Sequence, residues 1–173
     1  QVSDEEVRLI IAEAETAGVI EEEERELIAG VMRIADRTAS GLMTPRREVQ
    51  MLDIGEPSRA VLRALRDAEH SRLPVYEGSP ENILGVVSVR AALASAGRRS
   101  GTGLRELIRP APGVGEDIDA LEVLGKLKDS PSHMVLVYDE HGQFEGIITP
   151  MDVLGAITGS FDHEPDEQPG GAR

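Results

Sequence analysis

Two stretches of this chain are near copies of each other, and that repetition limits the folds open to it. Ser71-Arg-Leu-Pro-Val-Tyr-Glu77, followed by Ile83-Leu-Gly-Val-Val-Ser-Val-Arg-Ala-Ala-Leu93, returns as Ser132-His-Met-Val-Leu-Val-Tyr-Asp139. Phe144-Glu-Gly-Ile-Ile-Thr-Pro-Met-Asp-Val-Leu154 then completes the second copy. Tyr76 and Tyr138 stand 62 residues apart and Gly85 and Gly146 stand 61 apart, so the second hairpin turn is one residue shorter. The copies extend backwards: Val61-Leu62 and Leu65 align with Val123-Leu124 and Leu127, and Met43-Thr44-Pro45 with Ile108-Arg109-Pro110. A period near 60 is longer than the roughly 20–50 residues of solenoid units. It fits two small modules that cover each other's apolar faces, with ligand crevices where they meet.

Each copy reads strand, helix, strand, strand, helix. In the first, Val49–Leu52 is a short strand, and Ser58 caps a helix over Ala60, Val61, Ala64, Leu65 and Ala68. Leu73–Tyr76 and Ile83–Val87 are strands, and Ser88 caps a closing helix. The second copy gives a helix over 119–128, strands over 134–138 and 144–148, and a last helix opened by Thr149. Ahead of both lies a helical hairpin. Ser3-Asp-Glu-Glu6 is a capping box, with Val7, Ile10, Ile11 and Ala14 on one face. A second helix starts in Glu21–Glu24 and is expected to turn Leu27, Ile28, Val31, Met32 and Ala35 inward, with Gly30 as a weak point. Pro45 stops continuation beyond Thr44. The expected organisation is therefore α+β: a helical segment over 1–40, repeats over 41–97 and 108–160, a linker over 98–107, and an acidic, disordered tail over 161–173.

Composition excludes several functions. A net charge of −14 is the wrong sign for a nucleic-acid backbone partner. Cysteine is absent, so there is no disulfide framework, thiolate metal site or Cys nucleophile. No apolar run approaches the roughly 18 residues of a membrane span. The first residue is Gln and no signal peptide follows, so the chain reads as a soluble segment of something longer. No P-loop or Ser-His-Asp pattern is visible, and an enzyme is not expected. His163 sits among Asp162, Glu164, Asp166 and Glu167, but a flexible tail gives no fixed ligand geometry.

The strongest candidate for chemistry is Gly146-Ile-Ile-Thr149-Pro-Met-Asp152, a strand running straight into a helix with Pro150 at its first position. Such a terminus suits a phosphate, and Asp152 one turn in can accept two hydrogen bonds from a ribose diol. Thr149-x-x-Asp152 is equally the pattern of a capping box. The first copy keeps the cap at Ser88 and has Ala91 in place of the carboxylate, which suggests one competent crevice and one degraded one.

These residues resemble a tandem pair of CBS domains, a Bateman module, and within that group the CorC/HlyC-type proteins related to CNNM magnesium transporters. The resemblance covers about residues 3 to 160. It rests on Ala17-Gly-Val-Ile-Glu-Glu-Glu-Glu24, Asp36-Arg37, Leu42-Met-Thr-Pro-Arg46, His70-Ser-Arg-Leu-Pro-Val-Tyr-Glu-Gly78, Ile83-Leu-Gly-Val-Val87 and Val137-Tyr-Asp-Glu-His-Gly142. It implies a pseudo-twofold pair of repeats that is regulatory rather than catalytic. Such a module binds an adenine nucleotide, usually ATP with Mg²⁺, and forms a homodimer beneath a membrane domain that moves Mg²⁺ or Co²⁺, on the cytoplasmic face. Carried onto this sequence, Thr149 and Asp152 meet phosphate and ribose, and Thr44 and Val49 line the base pocket. His70 faces the adenine, Ser71 and Arg72 sit at the rim beside the middle strand at Leu73 and Pro74, and Arg46 reaches phosphates. The alternative is a nucleotide-free module whose work is dimerisation.

Overall fold

The computed structural model describes residues 1–96 and 103–159. The glycine-rich part of the expected linker and the expected tail over 161–173, with His163, lie outside the described residues. Helices α1 (Asp4–Thr16) and α2 (Glu22–Ala35) form the expected hairpin. The capping box at α1 is reciprocal: the Glu6 amide donates to Ser3 Oγ at 3.2 Å and the Ser3 amide to Glu6 Oε2 at 2.9 Å. An Arg25–Glu15 ion pair ties the two helices together.

The inward face of α2 is not the one the apolar spacing suggests. Leu27 and Val31 are 47% and 46% exposed, Ala35 is exposed, and Gly30 and Ile34 are the buried positions. The cause is a close approach. A Cβ on Gly30 would overlap the carbonyl oxygen of Ile157, so the missing side chain is what lets α2 lie against the last helix. Gly30 is thus a contact point rather than a weak one.

After α3 (Ala39–Leu42), β1 (Thr44–Pro45) leads into a single 3₁₀ turn over Arg46–Glu48, closed by the Val49 amide donating to the Arg46 carbonyl. The first strand of the first repeat therefore starts later than expected, as β2 (Leu52–Asp53). Helix α4 (Ser58–Arg66) follows Pro57, and Ser58 makes no cap bond. Strands β3 (Arg72–Tyr76) and β4 (Ile83–Ser88) and helix α5 (Val89–Ala96) complete the first repeat. Part of the expected linker is a short helix, α6 (Leu104–Leu107), whose leucines pack on the first repeat's core. The second repeat comprises β5 (Gly113–Gly115), α7 (Ala120–Asp129), β6 (Val135–Tyr138), β7 (Phe144–Ile148) and α8 (Pro150–Thr158).

The sheets show how the copies interlock. The second repeat's sheet runs β1-β7-β6-β5 and the first repeat's runs β2-β3-β4. Strand β1 opens the first repeat but pairs antiparallel with β7 of the second, Thr44 opposite Ile147 and Pro45 opposite Gly146. Its counterpart Arg109, at the start of the second repeat, exchanges both backbone hydrogen bonds with Val86 of β4 at 2.8 Å. The aligned glycines mark these crossings. A Cβ on Gly146 would strike the Thr44 carbonyl, and one on Gly85 would strike that of Arg109. Each repeat has its own core, and Val86, Met134, Leu136, Phe144 and Ile147 form a third cluster between them.

Candidate functional site

Residues from both repeats meet at the N-terminus of α8. There β7 delivers Thr149 in an extended conformation, and Pro150 opens the helix with its preset φ. The Asp152 amide donates to Thr149 Oγ1 at 3.3 Å, and Asp152 Oδ2 accepts from the Thr149 amide at 2.8 Å and its hydroxyl at 3.0 Å. The capping box is therefore real. It is also more than a cap, because Asp152 Oδ1 accepts a hydrogen bond from Thr44 Oγ1 at 2.7 Å, across 108 residues of sequence. The exchanged strand β1 places Thr44 there, so one carboxylate joins the start of the first repeat to the last helix of the second.

Beside this junction lies a cavity of about 890 Å³, within the range typical of small-molecule sites. Of the residues singled out from sequence, Thr44, Val49, His70, Ser71, Arg72, Thr149 and Asp152 line it. Three do not. Arg46 turns away, 2.6 Å from Glu81 Oε1 and 3.4 Å from the Phe144 carbonyl oxygen. Leu73 is buried in the first repeat's core, and Pro74 is buried within β3 opposite Val86.

The cavity also holds residues not anticipated. His133 lines it, held at φ +53°, at the position where the first copy has Ser71. Aligning Tyr138 with Tyr76 at a spacing of 62, which sets His133 opposite Ser71, was the available signal. Arg33, from the last turn of α2, and Arg37, just beyond it, form a further wall. No repeat points to them, since the hairpin belongs to neither copy. Met134 and Ile147 supply apolar surface and Glu48 a second carboxylate.

The mirror-related crevice is much smaller, about 200 Å³. The Ala91 amide donates to Ser88 Oγ at 3.3 Å, so the cap persists without its carboxylate. Arg109 occupies the place of Thr44, and Arg72 and His133 line this crevice as well as the large one. Among the described residues no group of three His, Cys, Asp or Glu side chains is placed to hold a metal ion. No described helix is long and apolar enough to cross a membrane.

The large cavity suits an adenine nucleotide. It offers an acceptor carboxylate, the Met151 amide at a helix N-terminus, guanidinium groups and apolar surface in one space.

Comparison with known proteins agrees with this architecture. Residues 39–96 and 104–159 each match the model of the CBS domain family. A solved CBS domain of a bacterial CNNM/CorC family Mg²⁺ transporter is 32% identical, with a TM-score of 0.77, covering 92% of this chain and 98% of that one. Another such domain, solved in complex with ATP, is 28% identical with a TM-score of 0.70, covering 79% and 98% respectively. The magnesium and cobalt efflux protein CorC of Vibrio cholerae is 29% identical over 92% of this chain and 55% of its own length. Other curated relatives, 34% identical, are matched over 28–37% of their length, so the chain spans about a third of them.

Proposed function

The chain belongs to the CBS domain family, as a CBS pair of the CNNM/CorC type, and on that premise we propose that it is a nucleotide-sensing regulatory module. In this reading it binds one adenine nucleotide, as Mg-ATP, in the large cavity between its repeats. The observation that carries the reading is the convergence of Thr44, Thr149 and Asp152 on one cavity of about 890 Å³. Asp152 takes the ribose hydroxyls, Thr149 and the Met151 amide take a phosphate, and Val49, His70 and Ile147 flank the base. A relative solved with ATP supports the ligand class.

Magnesium follows from charge. A triphosphate approaching a chain of net −14 meets a repulsive field, and Mg²⁺ bridging its phosphates relieves it without a dedicated protein cage. We assign the module no catalytic step. Its parent is proposed to be a membrane transporter of Mg²⁺ or Co²⁺, with this module on the cytoplasmic face, and its partner a second copy of itself.

The nucleotide-free alternative is a dimerisation module. It draws on Met151 and Leu154, which are 58% and 50% exposed on α8. Calorimetric titration with AMP, ATP and Mg-ATP decides between the two. The nucleotide reading expects ATP to bind more tightly with Mg²⁺ than in EDTA, with AMP little changed. Equal ATP affinity in EDTA removes the metal from it, and no heat from any of the three leaves the dimerisation module.

A further inference from the structure

The small crevice differs from the large cavity in charge as well as in volume. In the large cavity the aligned pair is Thr44 and Asp152, and in the small crevice it is Arg109 and Ala91. A guanidinium replaces a hydroxyl and a methyl group replaces a carboxylate, so the pair carries +1 where its counterpart carries −1. Arg72 and His133 complete the polar wall. Among the described residues no Asp or Glu lines this crevice, although acids outnumber bases 32 to 18 in the chain.

The backbone fixes where these side chains start. Arg109 is pinned to Val86 by two hydrogen bonds of 2.8 Å, Arg72 stands opposite Ser88 in the β3–β4 pairing, and the His133 amide donates to the Ser130 carbonyl at 3.2 Å. Arg109 Nη1 donates to the Glu106 carbonyl oxygen at 3.1 Å, which steadies the guanidinium and leaves its other N–H groups to a ligand. Ser88 Oγ accepts from the Ala91 amide and keeps its own proton to donate. Among the described residues neither Arg72 nor Arg109 has a carboxylate within ion-pair distance. The crevice thus presents donors without an acceptor carboxylate, and guanidinium forks match an oxyanion. Its volume of about 200 Å³ falls below the roughly 300–1,000 Å³ of drug-sized ligand sites, which shuts out a nucleoside and admits one tetrahedral anion.

We propose that the small crevice is a site for a single tetrahedral oxyanion, held by Arg72, Arg109 and His133 with the Ser88 hydroxyl. The loss of the carboxylate at Ala91 is then a change of ligand class rather than a decay of the site. The oxyanion site is independent of what the large cavity binds.

The probe is inorganic phosphate, followed by amide NMR of the full chain. Ser88, Ala91, Arg109 and Ser132 line only the small crevice, and Gly155 and Ala156 only the large cavity. Phosphate is expected to shift the first set saturably, with an affinity lower by about 10-fold or more in Arg109→Gln, as for loss of charge-assisted hydrogen bonds. Shifts that do not saturate, shifts confined to Gly155 and Ala156, or equal affinity in the folded variant overturn the proposal. AMP carries the same oxyanion on a nucleoside. Should it move the four small-crevice amides as phosphate does, the crevice takes nucleotides and the proposal fails; phosphate alone moving them supports it. If Arg109→Gln does not fold, Ala91→Asp decides instead. Its carboxylate beside Ser88 is expected to weaken phosphate by about 10-fold or more, and undiminished phosphate affinity contradicts the site.

Discussion

Thr44 Oγ1 stands 2.7 Å from Asp152 Oδ1, so a residue at the start of the first repeat is bonded to the last helix of the second. The bond exists because β1 leaves its own repeat to pair with β7. Thr44→Val keeps the shape and removes the donor, leaving one oxygen of a half-buried carboxylate without that partner. Stability should fall by about 1–2 kcal/mol, read as a lower urea midpoint, while Thr44→Ser stays close to the unmodified protein. Equal midpoints for Val and Ser would show that the bond contributes nothing.

The crossing itself is steric. Gly146→Ala sets a Cβ against the Thr44 carbonyl, a backbone atom that cannot turn away, and should cost at least about 1–3 kcal/mol as overpacking does. Gly125 lies exposed in α7 with nothing within 4 Å of a Cβ, so Gly125→Ala should instead stabilise by about 0.5–1 kcal/mol. Thermal unfolding of the two variants checks the contrast, and a stable Gly146→Ala would refute the close approach.

A pH effect is expected at Glu116. Partial burial raises its carboxyl above the usual 4.5, and the charges of Asp117, Glu145, Asp139 and Glu140 add to the effect. The folded state therefore holds this proton more tightly than the unfolded chain, and the group's adverse contribution grows as pH rises through the interval just above 4.5. Glu116→Gln should be more stable than the unmodified protein at neutral pH, and the gap should close as pH falls towards that value. Denaturation curves giving a constant gap across pH would contradict the assignment.

A dimer should form through the apolar surface that the last helix leaves exposed. Ala92 and Val153 are buried at 3% and 8% exposure, inside the protomer, and the free apolar side chains of α8 are Met151 and Leu154. Leu154→Glu should shift the light-scattering mass at micromolar concentration from dimer towards monomer. A monomeric unmodified protein would end this proposal.

The repeat made most of the fold legible, because matching apolar patterns at a spacing near 60 give two like modules. The capping box at Thr149 and Asp152 was equally readable, since it depends on residues three apart. Contacts set by close approach were not. Gly30 looked like a flaw in α2 because a sequence does not show the Ile157 carbonyl lying against it. Arg46 is beside Pro45 in sequence, yet the 3₁₀ turn that follows points it at Glu81 rather than into the cavity. Arg33 and Arg37 were hidden for a related reason. Asp36-Arg37 belongs to the pattern that carries the family resemblance, but the two arginines reach the cavity through the packing of α2 on α8, which spacing along the chain does not show.

Side-by-side calorimetric titration of the unmodified chain and Asp152→Ala with Mg-ATP tests the central claim, that one nucleotide sits between the repeats on the Asp152 carboxylate. One site per protomer is predicted, weakened by about 10- to 150-fold in the variant, as expected for loss of charge-assisted bonds of roughly 1.5–3 kcal/mol. Circular dichroism should show the variant folded. Two equal sites in the unmodified chain, or undiminished binding by folded Asp152→Ala, would contradict it.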